Sequence, residues 1–151
     1  MSSIGAFLHR LLEQHDTWRR LPLTVRAGDG WCGTALAVPP PPGSDLAGPL
    51  DIEETGGEVT ISLDYSHIHM EWPPPADSKG GNLWADPLAM VEAIVSEKVL
   101  SLSGWIDGRL RAGSLQEVDQ AAKLLVSGIQ RIRVRSWRGT FDRDEEFTSS
   151  S

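Results

Sequence analysis

Two histidines and a glutamate in the middle of the chain have the spacing best suited to metal chemistry. His67, His69 and Glu71 alternate along a predicted strand, so their side chains share one face of it. Two imidazoles and a carboxylate are ligands that zinc or iron accepts. However, the apolar residues between them place this face in solvent, and the sequence offers no second ligand cluster. We therefore expect no metal and no cofactor, and keep the three residues as weak metal candidates.

A row of arginines near the C-terminus could bind anions. Arg131, Arg133 and Arg135 alternate with apolar residues, so three guanidiniums line one face of a predicted strand, and Arg138 follows closely. Such a row suits phosphate or nucleic acid. The chain has no Gly-rich phosphate loop and a net charge of −7, so pairing with the protein's own acids is the favoured interpretation.

Signatures of covalent or acid–base catalysis are missing from the sequence. The single cysteine, Cys32, has no recognisable histidine partner and cannot form an intramolecular disulfide. No Gly-x-Ser-x-Gly elbow occurs, and nothing fixes two carboxylates in a shared cleft. We expect a protein that is not an enzyme. The charged N-terminal residues do not resemble a signal peptide, and no apolar stretch is long enough to cross a bilayer, so a cytoplasmic location is expected.

Negative charge is concentrated in one section of the chain. Between Ala27 and Ser78 there is no Lys or Arg, whereas the same section holds nine acids. A field of this sign repels nucleic acid and anionic membranes and attracts cationic partners. Two of the six tryptophans, Trp72 and Trp84, flank a loop within or beside this section, and Trp is a preferred anchor of interfaces. The predicted partner-binding residues are Asp51, Glu53, Glu54, Glu58, Asp64, Glu71, Trp72, Asp77 and Trp84.

The pattern of apolar residues in the first half predicts one helix and several strands. A helix is expected over Ile4–Trp18 and short strands over Leu23–Ala27 and Trp31–Val38, followed by a proline-rich loop that runs to Asp51. Apolar and polar residues alternate over Glu58–Trp72, as in a strand. However, the apolar residues occupy odd positions before Ser66 and even positions after it. A bulge or a tight turn is therefore predicted there.

In the second half, capping signals and turn residues define the elements. Asp86 and Pro87 begin a helix, and Val99–Ile106 is a strand that turns back at Asp107-Gly108. Ser114 and Glu117 form a capping-box pattern for a third helix that Gly128 ends. A last strand is expected over Ile129–Trp137, and residues 142–151 are expected to fray. The prediction is a single α+β domain over 1–151, a mostly antiparallel sheet with about three helices packed on it.

The C-terminal half carries a family resemblance. The residues concerned are Asp86, the run Val-Glu-Ala-Ile-Val-Ser-Glu-Lys at 91–98, Gly-Trp-Ile-Asp-Gly at 104–108 and Ser-Trp-Arg-Gly-Thr at 136–140. In these the chain resembles small bacterial immunity-type proteins of polymorphic and contact-dependent toxin systems. The resemblance implies a small, acidic, cytoplasmic protein that inhibits a cognate toxin by occlusion. It assigns no site residue.

Charge and resemblance together favour a protein-binding protein whose partner is a basic toxin domain. We expect no nucleic-acid and no membrane partner, and a monomer or a small homo-oligomer. Two alternatives remain at this point. One is a metal-dependent or small-molecule-binding enzyme that uses His67, His69 and Glu71. The other is a homo-oligomeric structural protein in which the arginine row of one subunit meets the acidic section of another.

Overall fold

The computed structural model describes residues 5–76, 82–120 and 128–147. Within these ranges the fold is α+β, with two α-helices, a short 3-10 helix at Asp16–Arg20 and nine strands. The helices are α1 (Ala6–Gln14) and α2 (Pro87–Val95). The strands are β1 (Leu23–Gly28), β2 (Trp31–Val38), β3 (Leu50–Thr55), β4 (Glu58–Leu63), β5 (Ser66–Glu71), β6 (Val99–Ile106), β7 (Arg109–Glu117), β8 (Arg131–Arg135) and β9 (Arg143–Glu146).

The strands form two antiparallel sheets. The first sheet is a meander with the order β1-β2-β3-β4-β5, and the second has the order β7-β6-β8-β9. Tight turns make the antiparallel pairing possible because they reverse the chain within two residues. Asp64 and Asp107 begin two of these turns with φ values of 56° and 51°, a left-handed conformation that aspartate tolerates better than most residues.

The hydrophobic core lies between the first sheet and the two helices. Alternate residues of the central strands are buried on one face, as in the row Leu36, Ile52 and Ile61, whose members pair directly across the strands. Phe7 of α1 and Ile94 of α2 belong to the same core. We call this the inner face of the first sheet, and the opposite one the outer face.

Both helices begin at a carboxylate that accepts from their first free N–H groups. Asp86 caps α2 by accepting from the N–H of Leu88 at 2.9 Å, as predicted. The cap of α1 comes from a distant strand, because Glu54 of β3 accepts from the N–H groups of Phe7 and Leu8 at 3.1 and 2.9 Å. Glu54 thereby anchors α1 to the inner face of the sheet.

The two sheets meet where β5 begins. The buried hydroxyls of Ser66 and Ser101 lie 2.7 Å apart, and Ser66 also donates to the carbonyl of Leu102. A side chain on Gly113 of β7 would collide with the carbonyl oxygen of Tyr65, so glycine is what allows this close approach. Val99 and Leu115 of the second sheet join the core of the first.

Several sequence predictions are confirmed. β1, β2 and the β6–β7 hairpin lie close to their expected positions, and the parity change near Ser66 is a tight turn between β4 and β5. The first helix is shorter than expected, since α1 ends at Gln14 and the 3-10 helix follows.

Other predictions are wrong or incomplete. The capping-box pattern at Ser114 and Glu117 does not begin a helix, because both residues extend β7, which pairs with β6 up to Glu117. The described residues thus hold two α-helices rather than about three, and 121–127 lie outside them. β3 was not predicted. Fraying was expected over residues 142–151; the described part instead includes β9, which pairs with β8, and residues 148–151 lie outside the described ranges.

No helix in the described ranges is both long enough and apolar enough to span a membrane.

Candidate functional site

The outer face of the first sheet gathers most of the chemistry-bearing residues that the sequence singled out. Its positions alternate with the buried ones and are aligned by strand pairing, for example in the row Thr24, Ala35, Glu53, Thr60 and His69. α1 and α2 pack on the inner face, so their buried side chains leave the outer face uncovered. The remaining outer-face positions are Arg26, Gly28, Trp31, Gly33, Ala37, Asp51, Thr55, Glu58, Ser62, His67 and Glu71.

Four of the predicted partner-binding acids share this surface. Asp51 and Glu53 lie on β3, Glu58 on β4 and Glu71 on β5. The only Lys or Arg among the outer-face positions is Arg26. These four carboxylates outnumber the one guanidinium, so the outer face carries an excess of acidic side chains.

Arg26 reaches across β2 to the acids of β3. Its guanidinium forms a two-point ion pair with Asp51 at 2.8 and 2.9 Å, and it contacts Glu53 at 3.3 Å. Apart from Trp31 at its start, the strand it crosses presents small residues on this side, Gly33, Ala35 and Ala37, which leave room for the long side chain. Hydrogen bonding to Asp51, opposed by some burial, raises the pKa of Arg26 above its ordinary value.

Of the two histidines, His69 forms hydrogen bonds across the sheet, and the pair does not belong to a converging ligand set among the described residues. His69 Nδ1 lies 2.9 Å from Glu58 Oε1 and 2.9 Å from Thr60 Oγ1. The rings of His67 and His69 meet edge to face, with centroids 5.1 Å apart. Among the described residues no three His, Cys, Asp or Glu side chains come together as a metal would require. As expected from parity, His67, His69 and Glu71 are exposed.

A shallow depression of about 260 Å³ lies on the outer face between Trp31 and His69. Its lining also includes the carboxylates of Glu53 and Glu58 and the hydroxyls of Thr55 and Thr60. The Trp31 side chain is 44% exposed, and its indole lies against Gly28, where a Cβ would overlap the ring. Sequence reasoning did not single out Trp31. Alternation within β2 gave no clear signal for it, because the buried positions of this strand, Gly33, Ala35, Leu36 and Val38, include both odd and even residues.

Two other predicted partner-binding acids serve the fold instead. Asp64 is fully buried and forms an ion pair with Arg133, with Nε to Oδ2 at 2.9 Å, while its other oxygen accepts from the N–H of Ala47 at 2.8 Å. Glu54 is occupied in capping α1. Both carboxylates are engaged within the chain, and neither residue is among the outer-face positions.

Neither predicted tryptophan anchor is among the outer-face positions. Trp72 is partly buried and packs edge-on against Phe7 of the core, with ring centroids 5.3 Å apart. Trp84 is 43% exposed, as expected, and lies in the loop that precedes α2. Asp77 lies outside the described residues.

The arginine row is paired with the protein's own acids, which confirms the favoured interpretation. Arg133 binds Asp64, and Arg135 contacts Asp45 at 2.9 Å and Asp144 at 3.0 Å. The hydrogen bond from Arg135 holds the pKa of Asp144 below its ordinary value, against the opposing effect of burial. Arg131 lies 3.6 Å from Asp144 and over the Trp105 ring.

Comparison with protein-family models finds no match, and comparisons with curated proteins and with solved structures find none either.

Proposed function

We propose that this chain is a protein-binding protein that inhibits a partner with a basic surface by occluding it, as an immunity protein does with its toxin. The observation that carries the proposal is the gathering of Asp51, Glu53, Glu58 and Glu71 on one exposed sheet face with a single guanidinium. The resemblance in residues 86–140 supports the same class of function.

Electrostatics explains how such a face would act. A patch of one sign raises the rate of encounter with an oppositely charged protein and orients it before contact. The five hydrogen-bonded strands hold the backbone positions of the carboxylates at fixed spacing, so little backbone entropy is lost on binding. Inhibition by occlusion needs no catalytic group and no bound cofactor.

The arginine row is poorly placed to form the interface of a homo-oligomer, which was the structural alternative. Arg133 and Arg135 are largely buried, with side chains 12% and 5% exposed, and already paired within the chain. We therefore place the binding surface on the outer face and not on the arginine row.

The proposal can be tested by comparing the wild-type chain with a neutralised variant, Asp51→Asn/Glu53→Gln/Glu58→Gln/Glu71→Gln. Both would be tagged, used to capture partners from the source cell, and co-expressed with the product of the adjacent gene. We expect a basic partner that the wild type retains at low salt and releases at high salt, and a loss of both capture and growth protection in the neutralised variant. Equal capture and protection by the two proteins would contradict the proposal.

A further inference from the structure

We infer that the depression between Trp31 and His69 binds an arginine side chain of the partner. The inference rests on the proposed function and names the chemistry that the outer face recognises. Three features support it: an aromatic wall, two carboxylates within the same lining, and an internal example of how this face holds a guanidinium.

The aromatic wall is Trp31. Nearly half of its side chain is exposed, although tryptophan is a large apolar group that usually gains from burial. Its indole is held against Gly28, because only glycine leaves space for the ring at this point of β1. A planar guanidinium stacks on such a ring more favourably than an ammonium group, which has no flat face.

The two carboxylates supply charge and hydrogen-bond acceptors. Glu53 and Glu58 line the depression together with the hydroxyls of Thr55 and Thr60. An arginine head has five N–H donors in a plane and so can be satisfied by several oxygens arranged around its edge. Glu53 is only 18% exposed and is contacted by Arg26 at 3.3 Å, so its carboxylate is already held in place.

Arg26 is the internal example. It lies on the same face, crosses β2 and donates to Asp51 and Glu53 from both terminal nitrogens. The spacing of carboxylates on this sheet therefore fits a guanidinium on one side of Glu53. The depression shares Glu53 with this ion pair but extends to Glu58 and His69, and no Lys or Arg is among its lining residues.

Gly33 has no side chain, and this absence contributes to the shape of the outer face beside the depression. A Cβ at this position would collide with the Thr55 hydroxyl and press on Glu53. Gly33 thus lets these two lining side chains lie close to β2.

The test is an NMR titration with N-acetyl-argininamide as the probe and N-acetyl-citrullinamide as its neutral isostere. We expect the Trp31 indole N–H and the amides of Glu53 to Thr60 to shift saturably with the arginine probe and hardly at all with the citrulline probe. Trp31→Ala and Glu58→Gln should each weaken probe binding by about fivefold or more. Gly28→Ala should also weaken probe binding. The added methyl group displaces the Trp31 indole, which is still present but no longer forms the wall of the depression.

Glu13→Gln is the matched control, since it removes one exposed carboxylate from α1, which packs on the inner face and not on the outer face; it should change probe affinity less than about twofold. Absence of saturable shifts, equal shifts with citrulline, or unchanged affinity in Trp31→Ala would overturn the inference. The partner experiment separates the two proposals. If the partner is lost with the neutralised variant but retained by Trp31→Ala and Glu58→Gln, the proposed function stands and the arginine site fails. If the neutralised variant keeps the partner, the proposed function itself fails.

Discussion

Asp64 illustrates how a single residue joins segments that are far apart in the sequence. It turns the chain between β4 and β5, accepts two hydrogen bonds from Arg133 of β8 at 2.9 and 3.1 Å, and accepts a third from Ala47. Its side chain is fully buried, so its charge is stabilised by these partners and not by water. Removal of this carboxylate would leave the largely buried Arg133 without its main counter-ion.

Asp64→Asn is expected to lower the free energy of unfolding by about 3 kcal/mol, because breaking a buried ion pair leaves an uncompensated charge. Asparagine also tolerates the left-handed backbone at this turn, so the variant isolates the charge from the conformation. Urea unfolding measures the change. Glu71→Gln, exposed on the sheet surface, should stay within about 0.5 kcal/mol of wild type. A loss no greater than in this control would show that the ion pair is not stabilising.

His15 should make stability depend on pH near neutrality. Burial lowers its pKa below 6.5, against the opposing effect of Glu92, and its Nε2 is buried without a hydrogen bond. As pH falls below 6.5, the unfolded chain binds the proton first, so stability is lost between that pH and the lower folded pKa.

His15→Gln should therefore flatten the fall in unfolding free energy between about pH 7 and pH 5, as measured by urea unfolding at each pH. His9→Gln is the control, because this histidine lies on α1 with a side chain that is 67% exposed. An identical slope in the wild type and in His15→Gln would exclude His15 as its source.

At the scale of elements, local signals predicted most of the strands but not the ones that depend on distant pairing. Alternation and turn residues located β1, β2, β4, β5 and the β6–β7 hairpin, whose information is contained in neighbouring residues. β3 was missed because its three acids follow a proline-rich loop, and pairing with β2 and β4 decides its conformation. Ser114 and Glu117 satisfied a capping pattern, yet pairing with β6 overrode this local preference.

The candidate site, like the strands, was predictable only where the information lies within one segment of the chain. Parity within β5 correctly placed His67, His69 and Glu71 on an exposed face. The involvement of Trp31 and Arg26 depends on the register between β1, β2 and β3, which no single segment encodes. The ion pair of Asp64 with Arg133 and the capping of α1 by Glu54 likewise join residues at least 46 positions apart.

The attachment of α1 to the sheet can be tested directly. Glu54→Ala should lower the free energy of unfolding by about 1 to 2 kcal/mol, because two helix N–H groups lose their acceptor. Gly5→Ala should destabilise for the same reason, since its Cβ would collide with the Glu54 carboxylate. In the double variant the two losses should not add, because both act on one contact. Strict additivity in urea unfolding would contradict a shared cause.

At the scale of the whole molecule, the two sheets depend on each other. Val99 and Leu115 of the second sheet lie in the core of the first, and Ser66 bonds to Ser101 across the junction. We therefore expect one cooperative unfolding transition, with coincident midpoints by tryptophan fluorescence and far-ultraviolet circular dichroism. Two separated transitions, one from each sheet, would contradict this expectation.

The segment between β2 and β3 has a consequence for proteolysis. It contains four consecutive prolines, followed by glycines and short polar residues. This composition is typical of an interdomain linker that a protease cuts readily. In the folded chain, however, the Asp45 carbonyl accepts from Arg133 and Ala47 donates to Asp64, which fastens the segment at two points. Broad-specificity proteases should spare this segment in the wild type and nick it in Asp64→Asn, at a site 17 positions away from the substitution.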